Sequence, residues 1–349
     1  MRAMKNGLRL FFSLALWATA MAQGNKTTID YSAPPNAPFT AEEVTINAQG
    51  YTLAGTLLLP KGSKRPLPAV ITITGSGLQT RDEPLPIPGL EKYLPMRQIA
   101  ETLAGRGIAV LRVDDRSVGG SGGKDTIKTA TTSSFADDVR AEVAYLRSRS
   151  EIDPKRIALV GHSEGGIIAP MVAAGDPRIA AIVLMAGSGK RGDQISLEQL
   201  TDILDKTPGV TPELRKQKLA EQQEVITAVQ TGGDLSKYPA QARLPWTKEF
   251  WTYDPLPTIR KVQQPILILQ GTFDRQITAE QADMLEKAAR EGGNTNVTKH
   301  IFPTLNHLFL PSKTGAVAEY TTLQITAIPD EVLKTLGDWL VLKLKVSGK

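Results

Sequence analysis

The apolar positions of this chain change rhythm along its length. Over 42–60, EEVTINAQG and YTLAGTLLLP alternate apolar and polar residues as half-buried strands do, and Gln49-Gly50 between them predicts a hairpin turn. A second rhythm follows in PAVITITG (68–75), GIAVLRVDD (107–115), RIALVG (156–161), IAAIVLMAG (179–187) and PILILQG (265–271). These short, continuous, β-branched runs bounded by glycine, proline or charge predict strands buried on both faces of a parallel sheet. Helix-period segments separate them. In SSFADDVRAEVAYLRSR, Phe135, Val139, Val143 and Leu146 share one face, with Ser133 or Ser134 as the expected cap and acidic residues in the first turn. Alternation of this kind predicts an α/β fold, a mostly parallel doubly wound sheet that opens with an antiparallel hairpin.

Between Gly187 and Pro265 the alternation gives way to polar, helix-prone sequence (SLEQLTDILDK, TPELRKQKLAEQQEVITAVQ) and then resumes. The expected organisation is therefore a core of residues 40–187 and 265–349 with a helical cap inserted at 188–264. The cap should lie over the carboxyl edge of the sheet, where open α/β sheets bind ligands.

Composition narrows the chemistry. Of 349 residues, 41% are hydrophobic and none is cysteine, which excludes disulfides, a thiol nucleophile and cysteine-held metals. Only three histidines are present, His162, His300 and His307, too few for a histidine-rich metal site. Lysine plus arginine is 41 against 36 acidic residues, and three of the bases lie in the N-terminal segment considered next. Neither a basic stripe nor a nucleic-acid-binding motif is present, so no nucleic-acid partner is expected. In that segment Arg2, Lys5 and Arg9 form a basic head, Leu10–Ala20 an apolar stretch, and Ala20-Met21-Ala22 a small-x-small cleavage site. Residues 1–22 read as a secretory signal peptide, followed by a polar leader over 23–39. The apolar stretch is shorter than the roughly 20 residues that span a bilayer. A periplasmic or secreted protein with no stable membrane insertion after cleavage is expected, and its oligomeric state is left open.

The residues with chemistry fall at strand ends. RIALV, then Gly161-His162-Ser163-Glu164-Gly165, then GIIAPMVAA is strand, G-x-S-x-G and helix, the arrangement of a nucleophile elbow. The pattern alone is weak, and Gly119-Gly120-Ser121-Gly122-Gly123 also satisfies it. That second copy lies several residues past a strand with no helix behind it, and is expected to be flexible loop. It also fails as a phosphate loop, since Val118 and Asp125 stand where glycine and a hydroxyl residue are needed.

A serine nucleophile needs a base. His162 neighbours the serine on the elbow and is read as a packing or pocket-wall residue, and His300 as a strand side chain in NVTKHIF. His307, in the loop PTLNHLFLP after that strand, remains. Asp274, four residues past the strand PILILQ, is positioned to orient it, the alternative being a cap for the helix beginning near Thr278. The order Ser163, Asp274, His307 is that of α/β-hydrolases. The oxyanion is expected to meet the backbone N–H groups of Glu164, at the start of a helix, and of Ser76 or next Gly77, in the loop TITGSGLQTRDE where Gly75 and Gly77 allow close approach.

With these residues in place the chain resembles exported bacterial esterases of the α/β-hydrolase superfamily, in the branch grouped with serine aminopeptidases and monoacylglycerol-lipase-like enzymes. GSGLQTRDE, LRVDDRSVGGSGG, LVGHSEGG, FWTYDPLPTIRKVQQPILILQGTFD and LNHLF carry the resemblance, which covers about residues 40–345. It implies a triad of Ser163, Asp274 and His307 and an oxyanion loop at Gly75 and Ser76. Two departures are Leu78, where the family often has proline, and Arg116-Ser117, where it usually has Arg-Gly.

The expected function is a carboxylesterase that cleaves small soluble esters through an acyl-serine, with no metal and no organic cofactor. The rivals are an exported aminopeptidase-like peptidase and a deacetylase of acetylated sugars. A peptidase would need a carboxylate pair for the substrate ammonium, with Glu198, Asp202, Glu221 and Glu249 as cap candidates. A hydrolase fold kept only for binding is disfavoured by the intact order of the three residues. Trp246, Phe250, Trp251 and Tyr253 either wall an acyl pocket or pack the cap onto the core.

Overall fold

The computed structural model describes residues 29–63, 66–85, 87–323 and 327–346. The signal-peptide reading of residues 1–22 lies outside them. Eight strands form one sheet: β1 (Phe39–Asn47), β2 (Thr52–Pro60), β3 (Leu67–Ile73), β4 (Ala109–Val113), β5 (Ile152–His162), β6 (Ile179–Met185), β7 (Ile266–Gly271) and β8 (Val297–Phe302). Their spatial order is β1-β2-β4-β3-β5-β6-β7-β8. The hairpin pairs antiparallel, Phe39 opposite Pro60 through Asn47 opposite Thr52, and β2 runs antiparallel to β4; every other pair is parallel. A sheet of this class with helices on both sides is an α/β-hydrolase fold.

The continuous apolar runs are explained by the two faces. Val70, Val110, Ala158, Val160, Val183 and Leu269 point to one side, where they meet α1 (Pro95–Gly105) and α9 (Asp330–Lys343). Their chain neighbours Ile71, Leu111, Leu159, Leu184 and Ile268 point to the other, against α2 (Thr132–Ser148), α3 (Gly165–Ala173) and α8 (Glu280–Glu291). Side chains alternate across a strand, so a sheet covered on both faces has no polar register left. Each fully buried aliphatic side chain contributes about 1.5–3 kcal/mol relative to exposure.

The start of α2 corrects one expectation. Its cap is Thr131, whose hydroxyl accepts the Ser134 N–H at 3.2 Å while the Ser134 hydroxyl accepts the Thr131 N–H, a reciprocal capping box. Ser134 is thus the third helical residue, and no acidic residue falls in the first turn. Between β6 and β7 lie α4 (Gly192–Lys206), α5 (Pro212–Thr231), α6 (Pro245–Thr252) and the single turn α7 (Leu256–Ile259). Val225, Ile226, Val229, Phe250 and Trp251 from these helices form a small apolar cluster with Ile167 of α3, so the cap packs on the helix that follows the elbow.

Candidate active site

The carboxyl ends of β3, β5, β7 and β8 bring the predicted residues together. At the end of β5, Ser163 holds a left-handed backbone with φ +54°, a conformation that costs a non-glycine residue about 1–3 kcal/mol. Its N–H donates to the Met185 carbonyl at 2.9 Å, fastening the turn to β6. A Cβ at Gly161 would lie 2.0 Å from the Gly165 carbonyl oxygen, and one at Gly165 would lie 2.4 Å from that of Ile73. Strand, turn and helix therefore meet at backbone distance, which only glycine allows. The Ser163 hydroxyl makes no hydrogen bond among the described residues and is free for a base.

His307 supplies the opposite wall. Asn306 shapes its loop by accepting the Leu308 and Leu310 N–H groups at 2.9 and 3.1 Å, and the Tyr93 hydroxyl donates to the Leu308 carbonyl. His307 Nδ1 stands 2.8 Å from Asp274 Oδ2. Asp274 is 2% exposed, and its Oδ1 accepts the N–H groups of Gln276 and Ile277 at 2.9 and 2.8 Å. Asp274 does not cap the helix that follows, since α8 begins at Glu280 behind Ala279 with no side-chain cap bond; its Oδ1 shapes the turn before that helix and its Oδ2 faces the histidine. Gln270 Nε2 adds a 2.9 Å bond to Oδ2, so the buried carboxylate is fully solvated by donors. Gln270 escaped the sequence reading, although a lone amide at the end of the apolar run PILIL was a signal. With Nδ1 engaged, Nε2 of His307 remains, and Ser163 and His307 line the same two cavities. His300 is exposed on β8 with its ring against Phe302, centroids 4.4 Å apart, away from this site.

Of the loop after β3, the Gly75 N–H is already used, donating to Glu83 Oε1 at 2.8 Å. The N–H groups of Ser76, Gly77 and Glu164 have no acceptor among the described residues. The Glu164 donor sits at the amino end of α3, where the helix dipole favours an anion. Its side chain turns away and accepts from Thr132 Oγ1 at 2.7 Å and from Trp246 Nε1 of the cap at 2.8 Å. Burial pushes the Glu164 carboxyl pKa up, and the Thr132, Trp246 and Ser76 donors only partly reverse this.

Gly119–Gly123 corrects the flexible-loop expectation. The Ser121 hydroxyl donates to the Asp114 carbonyl at 2.7 Å and accepts the Ala54 N–H at 2.9 Å, and the residue is 8% exposed. This loop is ordered because its serine completes the backbone hydrogen bonding at the end of β4. The Ser117 departure is also explained in part: residue 117 has φ +71°, where glycine carries no strain. No structural consequence of Leu78 is evident.

Each of the four cap carboxylates has a partner of its own. Glu198 pairs with Lys190 at 2.6 Å, Glu221 with Lys218 at 2.7 Å, Asp202 with Lys206, and Glu249 accepts the Ser133 N–H at 2.9 Å. Of the four aromatics, Phe250 lines the cavity beside Ser163 and stacks on Trp246 at 5.0 Å, whereas Trp251 is buried in the cap cluster and Tyr253 packs against it.

Comparison with known proteins extends this geometry. The profile of the family described as "Serine aminopeptidase, S33" (Hydrolase_4) matches residues 89–313. The chain is 29% identical over 175 residues to the putative hydrolase YtaP of Bacillus subtilis, covering 43% of this chain and 58% of that one. It is 36% identical over 88 residues to the thiohydrolase apmlB of Arthrinium phaeospermum, covering 25% and 28%. The chain thus spans about a quarter to just over half the length of these curated relatives. Among solved structures, the esterase Pf2001 of Pyrococcus furiosus shares the fold with a TM-score of 0.60 at 18% identity, covering 92% of this chain and 100% of that one.

Proposed function

Because the chain belongs to the serine aminopeptidase S33 family of hydrolases, we propose that it is a serine carboxylesterase acting on small soluble esters. The observation that carries the reading is a pair of cavities walled by both Ser163 and His307, with the Asp274 carboxylate 2.8 Å behind the histidine. His307 takes the Ser163 proton as Oγ attacks the ester carbonyl carbon. The tetrahedral oxyanion is held by the N–H groups of Ser76 and Glu164, each such donor being worth about 10²–10³ in kcat. Collapse expels the alcohol with the proton returned by His307. Water, deprotonated by the same histidine, then attacks the acyl-serine and releases the acid.

Two features support short esters. The cavities flanking the serine are small, about 40 Å³ beside Leu85 and Leu308 and about 10 Å³ beside Ile195 and Phe250. Each cap carboxylate weighed as an ammonium ligand already has its own cation or hydroxyl partner, which supports esters over aminoacyl amides. The test compares kcat/KM for p-nitrophenyl acetate to hexanoate, the palmitoyl ester, and leucine and proline anilides. The short esters are expected to lead by tenfold or more, about 1.4 kcal/mol of transition-state preference, and a lead by palmitoyl or anilide substrates contradicts the reading. We also propose export through cleavage after Ala22, tested by sequencing the amino terminus of protein recovered outside the cytoplasm, where Gln23 is expected first.

A further inference from the structure

Beside the proposed catalytic groups lies a buried pair that the reaction steps above do not use. His162 is 8% exposed and Glu83 3%. His162 Nδ1 stands 2.8 Å from Glu83 Oε1, and its Nε2 stands 3.0 Å from the His307 backbone carbonyl. The carbonyl oxygen can only accept and an ionised carboxylate can only accept, so the geometry suits a ring that carries a proton on each nitrogen. The Glu83 Oε1 that faces the ring also accepts the Gly75 N–H at 2.8 Å. Glu83 holds φ +54° to make these bonds, a strained backbone of the kind that persists where surrounding structure over-determines it.

The contacts run between the two parts of the site that must be fixed relative to Ser163. Glu83 orients the Gly75 peptide, immediately before the Ser76 N–H. His162 orients the carbonyl of His307 itself, whose ring centroid lies 5.0 Å from its own. His162 is also the residue bonded to Ser163, and a Cβ at Gly75 would fall 3.2 Å from the Ser163 Cβ and 3.5 Å from His162 Nδ1. Nucleophile, oxyanion loop and base loop therefore share one buried ion pair. We propose that Glu83 and His162 are positioning residues, a charged clamp that sets the oxyanion donor and the general base at a common distance from Ser163. This rests on the serine-esterase reading, and it concerns residues outside the Ser163, Asp274 and His307 set. Burial opposes charge on the ring, but the Glu83 carboxylate, the His307 carbonyl and the more distant Asp274 outweigh it and raise the His162 pKa.

Three histidines make the ring directly observable. In protein labelled with ¹⁵N-histidine, the ring resonances lost in His162→Gln are expected to titrate at higher pH in the wild type than in Glu83→Gln. On p-nitrophenyl butanoate, Glu83→Gln and His162→Gln are each expected to lower kcat by about 10–100-fold, the scale of a displaced catalytic group, with KM within about threefold. The double variant is expected to cost no more than about threefold beyond the larger single loss, since either change opens the same clamp. A His162 titration unchanged in Glu83→Gln, or near-wild-type kcat in either folded variant, overturns the proposal while leaving Ser163-dependent turnover intact. Failure of the esterase reading looks different: wild-type protein then hydrolyses no ester and Ser163→Ala changes nothing. Should either variant not fold, Glu83→Asp takes its place, with the same fall in kcat expected because the shortened carboxylate no longer spans from the ring to the Gly75 N–H.

Discussion

The chain contains the same five-residue pattern twice, and the two copies differ in what surrounds the serine. At Gly161–Gly165 the serine follows a central strand, is held in a left-handed turn and has its hydroxyl unspent opposite His307. At Gly119–Gly123 the serine hydroxyl is consumed at both ends, by the Asp114 carbonyl and the Ala54 N–H. No titratable partner reaches it. One serine is kept at a cost in backbone strain so that its hydroxyl stays free, and the other is buried so that two strand ends are hydrogen-bonded. The two serines are thus told apart by the bonds each hydroxyl makes and by what stands across from it, and not by flanking glycines.

The comparison is broken most strongly by removing what only the first serine has. Asp274→Asn is expected to lower kcat by about 10³–10⁴, because an amide cannot hold the histidine tautomer or stabilise the imidazolium. Circular dichroism is expected to be unchanged, since Oδ1 of the new side chain still accepts the Gln276 and Ile277 N–H groups. Turnover within tenfold of wild type moves the acid elsewhere.

The second serine predicts the opposite pattern. Ser121→Ala strands a buried N–H and a buried carbonyl, so a loss of about 1–3 kcal/mol in denaturant unfolding is expected, with kcat within about twofold. A large fall in kcat at full stability makes the two loops chemically equivalent and removes the distinction drawn between them.

A smaller effect sharpens the boundary between the loops. A cavity lined by Gly75, Asp114, Asp115, Asp138, Glu142 and Glu164 lies beside the elbow. Glu142, from α2, makes no hydrogen bond among the described residues and is 5% exposed. Burial first, then the nearby Asp138 and Asp115 charges, raise its pKa well above 4.5. The folded chain therefore retains a proton that the unfolded chain releases, and stability falls as pH climbs from about 4.5 to the folded value, then levels. Glu142→Gln is expected to raise Tm at pH 8 and leave it unchanged at pH 4, as calorimetry at the two pH values would show. An equal shift at both pH values assigns the effect to packing instead.

Much of this architecture was legible because each signal was local. Strands buried on both faces read as unbroken apolar runs, and Ser163 and Asp274 each stand just past one, while His307 follows the alternating strand β8. What escaped depends on contacts distant in sequence. Glu83 meets His162 across 79 positions, and nothing in TRDEPL marks that loop glutamate as the partner of a histidine at the end of β5. Ser121 looked loose because glycines around it suggest freedom, whereas its bonds to β2 and β4 are made by the sheet. The α2 cap differs from the expected position by two or three residues because Thr131, Thr132, Ser133 and Ser134 in succession offer equivalent hydroxyls, and only the reciprocal Thr131–Ser134 bonds select one.

The most direct measurement is reaction of the full-length protein with a fluorophosphonate, followed by peptide mass spectrometry of the adduct. A phosphonylated serine at Ser163, none at Ser121, and no adduct in Ser163→Ala is the predicted result, since only the elbow serine has a base and free oxyanion donors around it. An adduct at Ser121, or labelling that survives Ser163→Ala, contradicts the account.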